Sequence, residues 1–299
     1  VASPELELVR ELIELNWHTR NGEVEPRRIA YDRAQEAFGD LGVPPGEVVT
    51  VGHCTAEWVR PARRDGRTLL YLHGGSYALG SPQSHRHLSS ALGEAAGAAV
   101  LALHYRRPPE SPFPAALEDA VAAYRMLLEQ GCPPGRITLA GDSAGAGLAV
   151  AALQALRDAG TPLPAAAVCI SPWADLACEG ASHTTRKARE ILLDTEDLRR
   201  MAERYLAGTD PRHPLASPAH GDLTGLPPLL IQVGSEEVLH DDARALERAA
   251  LKAGVPVTFE EWPEMFHVWH WYHPVLPEGR RAIEAAGAFL RTATGEVLK

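Results

Sequence analysis

The sequence predicts an α/β architecture, with a mostly parallel eight-stranded sheet covered by helices on both faces. Three observations carry that expectation. Short apolar segments alternate with longer helix-like runs from about residue 68 onward. A chain of 299 residues, 45% hydrophobic and 23% charged, can bury one large core. The third is Gly141-Asp142-Ser143-Ala144-Gly145, which matches G-x-S-x-G where a strand should hand over to a helix.

The chain opens on helical patterns. Leu6, Val9, Leu12, Ile13 and Trp17 recur at helical spacing, and a second apolar set runs from Ala30 to Phe38. Both precede the first strand and are candidates for an N-terminal cap. Strands are expected at 47–51, 56–60, 68–72, 100–103, 137–140, 165–170, 229–233 and 257–262. The first two have only a short link, which suits an antiparallel pair. Most of the later ones are separated by helical patterns, at 88–95, 117–129, 146–158 and 243–252, which implies parallel pairing.

The interval from Trp173 to Pro228 is too long for a simple crossover. It holds a basic stretch, His183-Thr184-Thr185-Arg186-Lys187-Ala188-Arg189, and a helix-like run from Thr195 to Leu206. Thr195 reads as the capping residue of that run, with Glu196 and Asp197 in its first turn. The interval is expected to pass over the sheet and cover the site. The organisation expected is one domain over residues 1–299, with a cap from about 1–45 and about 176–215.

The net charge of −10 argues against a nucleic-acid surface and offers no basic stripe to anionic membranes. No apolar run approaches the roughly 18 residues of a spanning helix. The acidic start of the chain lacks the pattern of a signal peptide, so a cytoplasmic protein is expected. Cys54, Cys132, Cys169 and Cys178 include no C-x-x-C, which fits buried, reduced thiols; a Cys169–Cys178 disulfide has little support.

The chemistry is concentrated at three places. Ser143 would sit on a sharp turn between the strand 136–140 and the apolar run 146–156, its hydroxyl pushed out above the sheet edge. A serine hydroxyl is a weak nucleophile and needs a base, together with donors for the oxygen that becomes negative. His73-Gly74-Gly75-Ser76 directly follows the strand 68–72, and its bare glycines let backbone N–H groups approach a substrate oxygen. With the N–H of Ala144 they suggest an oxyanion hole of Gly74, Gly75 and Ala144. His73 is expected to anchor the loop rather than to react.

The base is expected at His267, just past the end of the strand 257–262, with His270 and His273 as competitors. The acid should come from the stretch after strand 229–233, where Glu236, Glu237, Asp241 and Asp242 lie within seven residues. Composition does not choose among them, and all four also suit an acidic helix start.

Together these residues resemble the hormone-sensitive-lipase-like branch of the α/β-hydrolases, which holds microbial acetyl esterases and lactone hydrolases. The match includes His73-Gly74-Gly75, Tyr105-Arg106, Pro109-Glu110, Pro112 to Ala116 and Glu118-Asp119. It continues through Gly141 to Gly145, Ser171-Pro172-Trp173 and Gly234 to Asp242, and closes at His267. In that branch the acid stands three residues after the glycine and two before a leucine, which selects Glu237, with Glu236 and Asp241 next in line. Aspartate is the commoner residue there. Two further departures are Ser76, where a third glycine is usual, and His104, where an aspartate is usual. The whole chain looks especially like the acetyl-hydrolases of actinomycete phosphinothricin-tripeptide pathways, and that resemblance implies removal of an N-acetyl group from an antibiotic precursor.

The expected reaction is two-step acyl transfer from a small acylated substrate by Ser143, His267 and Glu237, with no metal or organic cofactor. General short-chain ester or lactone hydrolysis is the alternative within the same machinery. Arg186, Lys187 and Arg189 form a solvated surface in the simpler reading and meet an anionic substrate group in the sharper one. A binding protein on a dead hydrolase scaffold, and a metal hydrolase using His267, His270 and His273, are the readings from other classes. Dimers are common among similar proteins, so a second copy of the chain is the one macromolecular partner considered.

Overall fold

In a computed structural model, residues 3–16, 22–59 and 66–295 are described. The sheet has eight strands: β1 (Glu47–Val51), β2 (Cys54–Val59), β3 (Arg67–Leu72), β4 (Ala98–His104), β5 (Ile137–Asp142), β6 (Ala167–Ile170), β7 (Leu229–Gly234) and β8 (Val257–Trp262). Their order across the sheet is β1-β2-β4-β3-β5-β6-β7-β8. β1 pairs antiparallel with β2, β2 pairs antiparallel with β4, and every pairing from β4 to β8 is parallel. The antiparallel start and the parallel remainder agree with the expectation. Arg60, placed in the second strand, and Trp17, placed in the first helix, lie outside the described residues.

Period-two alternation along the strands sorts side chains into two layers. Leu70 and Leu72 of β3, Leu101 and Leu103 of β4, and Leu229, Ile231 and Val233 of β7 enter the larger core. Their neighbours Leu69, Tyr71, Val100, Ala102 and Leu230 enter the other. Each of the Leu, Ile and Val side chains among them, fully removed from water, contributes about 1.5–3 kcal/mol.

The helices divide in the same way. α3 (Pro82–Ala96) and α9 (Pro277–Ala293) pack together over the smaller core, through Leu88, Leu92, Ile283 and Leu290. α4 (Ala115–Glu129), α5 (Ala144–Asp158) and α8 (His240–Lys252) cover the larger one. α9 follows the His267 region, and no helix was expected there. α3 begins at Pro82, six residues before the expected start, because Ser81 caps it reciprocally with Ser84 and Pro82 takes the first turn.

Before the sheet come α1 (Glu5–Asn16) and α2 (Val24–Arg33), the latter running into a single 3-10 turn at Ala34–Phe38. Between β6 and β7 lie α6 (Ser182–Thr185) and α7 (Thr195–Leu206). In α7, Leu198, Met201, Ala202, Tyr205 and Leu206 form one buried stripe at helical spacing. Its bounds are as expected but its cap is not: the Asp194 side chain accepts from the Asp197 N–H at 3.0 Å, and Thr195 is the first helical residue. An aspartate at that place competes as well as a threonine, with its charge favoured by the helix dipole. All four cysteines are free.

Candidate active site

The carboxyl ends of the parallel strands bring the expected residues together, as open α/β sheets do. Ser143 stands between the end of β5 and the start of α5, at φ 55° and ψ −123°. That backbone is sparsely populated for a residue with a side chain, and surrounding contacts hold it. The Ser143 N–H donates to the Ile170 carbonyl at 2.8 Å, and its carbonyl accepts from the Trp173 N–H at 3.0 Å. Gly145 is required by close approach: a methyl there would overlap the Leu72 carbonyl.

His267 follows β8 after a short turn. Its Nδ1–H donates to Glu237 Oε2 at 2.8 Å, leaving Nε2 for another partner. Glu237 is fully buried, and its other oxygen, Oε1, accepts from Ser171 Oγ–H at 2.7 Å and from the Gly234 N–H at 2.6 Å. Burial pushes the His267 pKa down, but the bond to Glu237 and the charges of Glu237, Glu190 and Asp142 outweigh it. The net result is raised. Of the four candidate carboxylates, Glu237 is the one against the imidazole. Glu236 pairs with Arg189 at 3.2 Å, Asp241 accepts from the Ser182 N–H at 2.9 Å, and Asp242 accepts from the Asp175 N–H at 3.0 Å.

The competing histidines diverge. His270 is buried with Nε2 on Gln232 Oε1 at 2.9 Å, and burial pushes its pKa down to about 3. His273 stacks on His87 with ring centroids 5.5 Å apart. His267, His270 and His273 therefore do not converge on one point. Among the described residues no cluster of three histidine, cysteine or acidic side chains could hold a metal ion.

The loop after β3 departs from the expectation. The Gly74 N–H donates to the buried Asp142 Oδ1 at 3.0 Å, so that donor is already engaged. Gly75 and Ser76, not Gly74, line the cavity beside Ser143. Both have left-handed backbones, at φ 111° and 52°. At Ser76 this accounts for the usual glycine: a side chain there is strained by roughly 1–2 kcal/mol. His73 anchors the loop as expected, with Nδ1 on the Gly74 carbonyl at 2.7 Å and its ring stacked on Tyr105 at 4.2 Å. Burial keeps it neutral, its pKa pushed well down. His104 is half-buried with its ring 6.4 Å from His73; burial first, then Arg107, lowers its pKa.

The roles of two supporting residues escaped the sequence reading, which quoted both only as members of matched motifs. Ser171, just past β6, donates to Glu237 and accepts from the Val268 N–H at 3.1 Å. It thereby holds Val268, a β-branched residue at φ 50°, in the turn that carries His267. Asp142 accepts from Tyr71 Oη–H at 2.6 Å and from the Gly74 N–H, and its other oxygen faces His85 Nε2 at 3.3 Å. It locks the loop of Gly75 to the serine turn. The signal available for both was their place at strand ends.

Ser143 and His267 line one cavity of about 810 Å³. Its walls come from α1 (Leu12, Ile13), α2 and the following turn (Tyr31, Phe38) and the stretch Leu192 to Leu198. Trp271 and Tyr272 close the remaining side. Arg186, Lys187 and Arg189 do not line it; the arginines that do are Arg27, Arg33 and Arg200, alongside Asp194 and Asp197. Arg27 pairs with Asp197 at 2.7 Å.

Comparison with known proteins finds relatives of the whole chain. The α/β-hydrolase fold family matches residues 69–271. An acetyl-hydrolase of Streptomyces hygroscopicus is 96% identical over 299 residues, covering 100% of both chains. An esterase of Acinetobacter venetianus is 33% identical over 74% of this chain and 73% of its own. The crystal structure of an esterase from the bacterial hormone-sensitive lipase family superposes with a TM-score of 0.94 at 47% identity, covering 99% of this chain and 100% of that one. No helix among the described residues is long and apolar enough to cross a membrane.

Proposed function

The chain belongs to the α/β-hydrolase family and is a hydrolase of the acetyl-hydrolase and esterase type, and from that premise we propose that Ser143, His267 and Glu237 act as its catalytic triad. The single observation that supports this most is the 2.8 Å bond between His267 Nδ1 and Glu237 Oε2, with the imidazole and Ser143 opening on the same cavity. Glu237 fixes the tautomer that leaves Nε2 unprotonated, so the imidazole can take the Ser143 proton as Oγ attacks the acyl carbon. The tetrahedral oxyanion is held by the N–H groups of Gly75, Ser76 and Ala144. Ala144 qualifies as the first residue of α5, where a helix N–H has no partner within the helix. His267 then protonates the leaving oxygen or nitrogen. A water, deprotonated by the same nitrogen, releases the acid and restores the serine.

The acyl group is small. Ser76, Trp271 and Tyr272 line the same cavity as Ser143, and side chains of that bulk favour an acetyl over a longer acyl chain. The rest of the cavity, walled by the proposed cap, is wide enough for a larger leaving group and carries both apolar and charged lining. That supports a small N-acetylated or O-acetylated molecule, including an antibiotic-pathway intermediate of the kind the sequence resemblance implies.

A panel of p-nitrophenyl acetate, butyrate and octanoate beside N-acetylated amino acids and short peptides tests the reading. Acetate release is expected to be fastest from the acetyl compounds and to be unchanged by a chelator. Failure to cleave any acetyl ester or amide, or loss of the rate on chelation, would overturn it.

A further inference from the structure

A second buried carboxyl stands behind the Glu237–His267 pair and takes no part in the steps above. Glu190 lies between α6 and α7 and is 7% exposed. Its Oε1 accepts from the N–H groups of Leu192 at 2.8 Å and Leu193 at 3.4 Å. Its Oε2 accepts from the N–H of Val238, the residue after Glu237, at 3.3 Å. Leu192 and Leu193 both line the cavity. One side chain thus ties the cavity wall to the turn that carries Glu237. Every partner is a donor, which suits a carboxylate; an amide would set its own NH2 against one of them.

The charges around it are few. Burial first, and then the Glu237 charge, push the Glu190 carboxyl up to about 7 against the pull of His267 and of the Leu192 and Val238 N–H groups. Reciprocally, Glu190 is one of the charges that favour protonated His267. The cations of its own segment engage elsewhere: Lys187 with Asp194, Arg189 with Glu236, and Arg186 acting on Asp241. Neighbouring Leu192 packs with α1 and the 265–269 stretch through apolar side chains, among them Leu6, Val9, Met265 and Phe266. His267 and Glu237 are the ionisable groups that act on Glu190.

We propose that Glu190 is a positioning residue for the reaction, holding the Glu237 turn against the cavity wall and placing a second negative charge behind the His267 imidazole. The proposal rests on the triad reading above.

The test is kcat and KM for p-nitrophenyl acetate across the pH range in which His267 titrates, in the wild type, Glu190→Gln and Glu190→Asp. A negative charge favours imidazolium, so its removal lowers the His267 pKa. Glu190→Gln should therefore move the acid limb of kcat/KM to lower pH, by less than a full unit because Glu190, at about 7, is itself partly protonated in that range. Glu190→Asp keeps the charge but is too short for both ties, so its limb should stay at the wild-type pH while KM rises several-fold. A limb of Glu190→Gln at the wild-type pH, or one displaced equally in Glu190→Asp, overturns the proposal. Should Glu190→Gln not fold, Glu190→Asp decides: a wild-type limb with raised KM supports the role, and an unchanged KM overturns it. A wild type with no acid limb at all would instead remove the triad reading, whatever the variants do.

Discussion

Ser143→Ala should lower kcat/KM for p-nitrophenyl acetate by roughly four to six orders of magnitude while the protein stays folded. The alanine removes only Oγ from a buried position, and its backbone is no less able than serine to hold φ 55° under the bonds to Ile170 and Trp173. The site that remains can still bind the ester and offer the N–H groups of Gly75, Ser76 and Ala144 to its oxygen, so a small rate above that of water should persist. Circular dichroism and thermal melting would show the native fold, and steady-state kinetics would show the loss. A variant within tenfold of wild type would place the nucleophile elsewhere.

Glu237→Ala should cost about 10⁴-fold in kcat, and Glu236→Ala less than about tenfold, although the two are adjacent. The difference follows from where each carboxylate points. Glu237 is fully buried and holds the His267 ring by Nδ1; without it the imidazole loses its fixed tautomer and the charge that stabilises imidazolium. Its loss also leaves Ser171 Oγ and the Gly234 N–H without their acceptor. Glu236 makes a partly exposed pair with Arg189, of a kind worth little. Kinetics of the two variants side by side give the answer, and the reverse order would move the acid.

What the sequence made legible is what is encoded locally. G-x-S-x-G announces a sharp strand-to-helix turn because Gly145 must sit against the Leu72 carbonyl, and no other residue can. A histidine just past the last strand is readable for a similar reason: strand ends of a parallel sheet converge. The acid was different. Four carboxylates share the stretch after β7, and only the resemblance to a family separated Glu237 from Glu236. Their opposite orientations depend on β6 and on the segment before α7, far away in the chain.

The same distance hid Ser171, 66 residues from Glu237 and 97 from Val268. It hid Glu190 as well, which reaches Val238 across 48 residues. Gly74 shows a subtler limit. Two glycines after a strand looked like two donors, but the first N–H is taken by Asp142, 68 residues on, so the donors we propose lie one position further along the loop. In α7 the sequence reading placed the cap at Thr195, and the structure has it one residue earlier, on Asp194, an equally competent capping residue.

Reaction with an organophosphonate ester, followed by mass spectrometry of the digested protein, tests the central claim most directly. The account expects one adduct, on the peptide that carries Ser143, formed rapidly in the wild type and at least about a hundredfold more slowly in His267→Ala. An adduct on another residue, or a Ser143 that reacts equally fast without the imidazole, would contradict it.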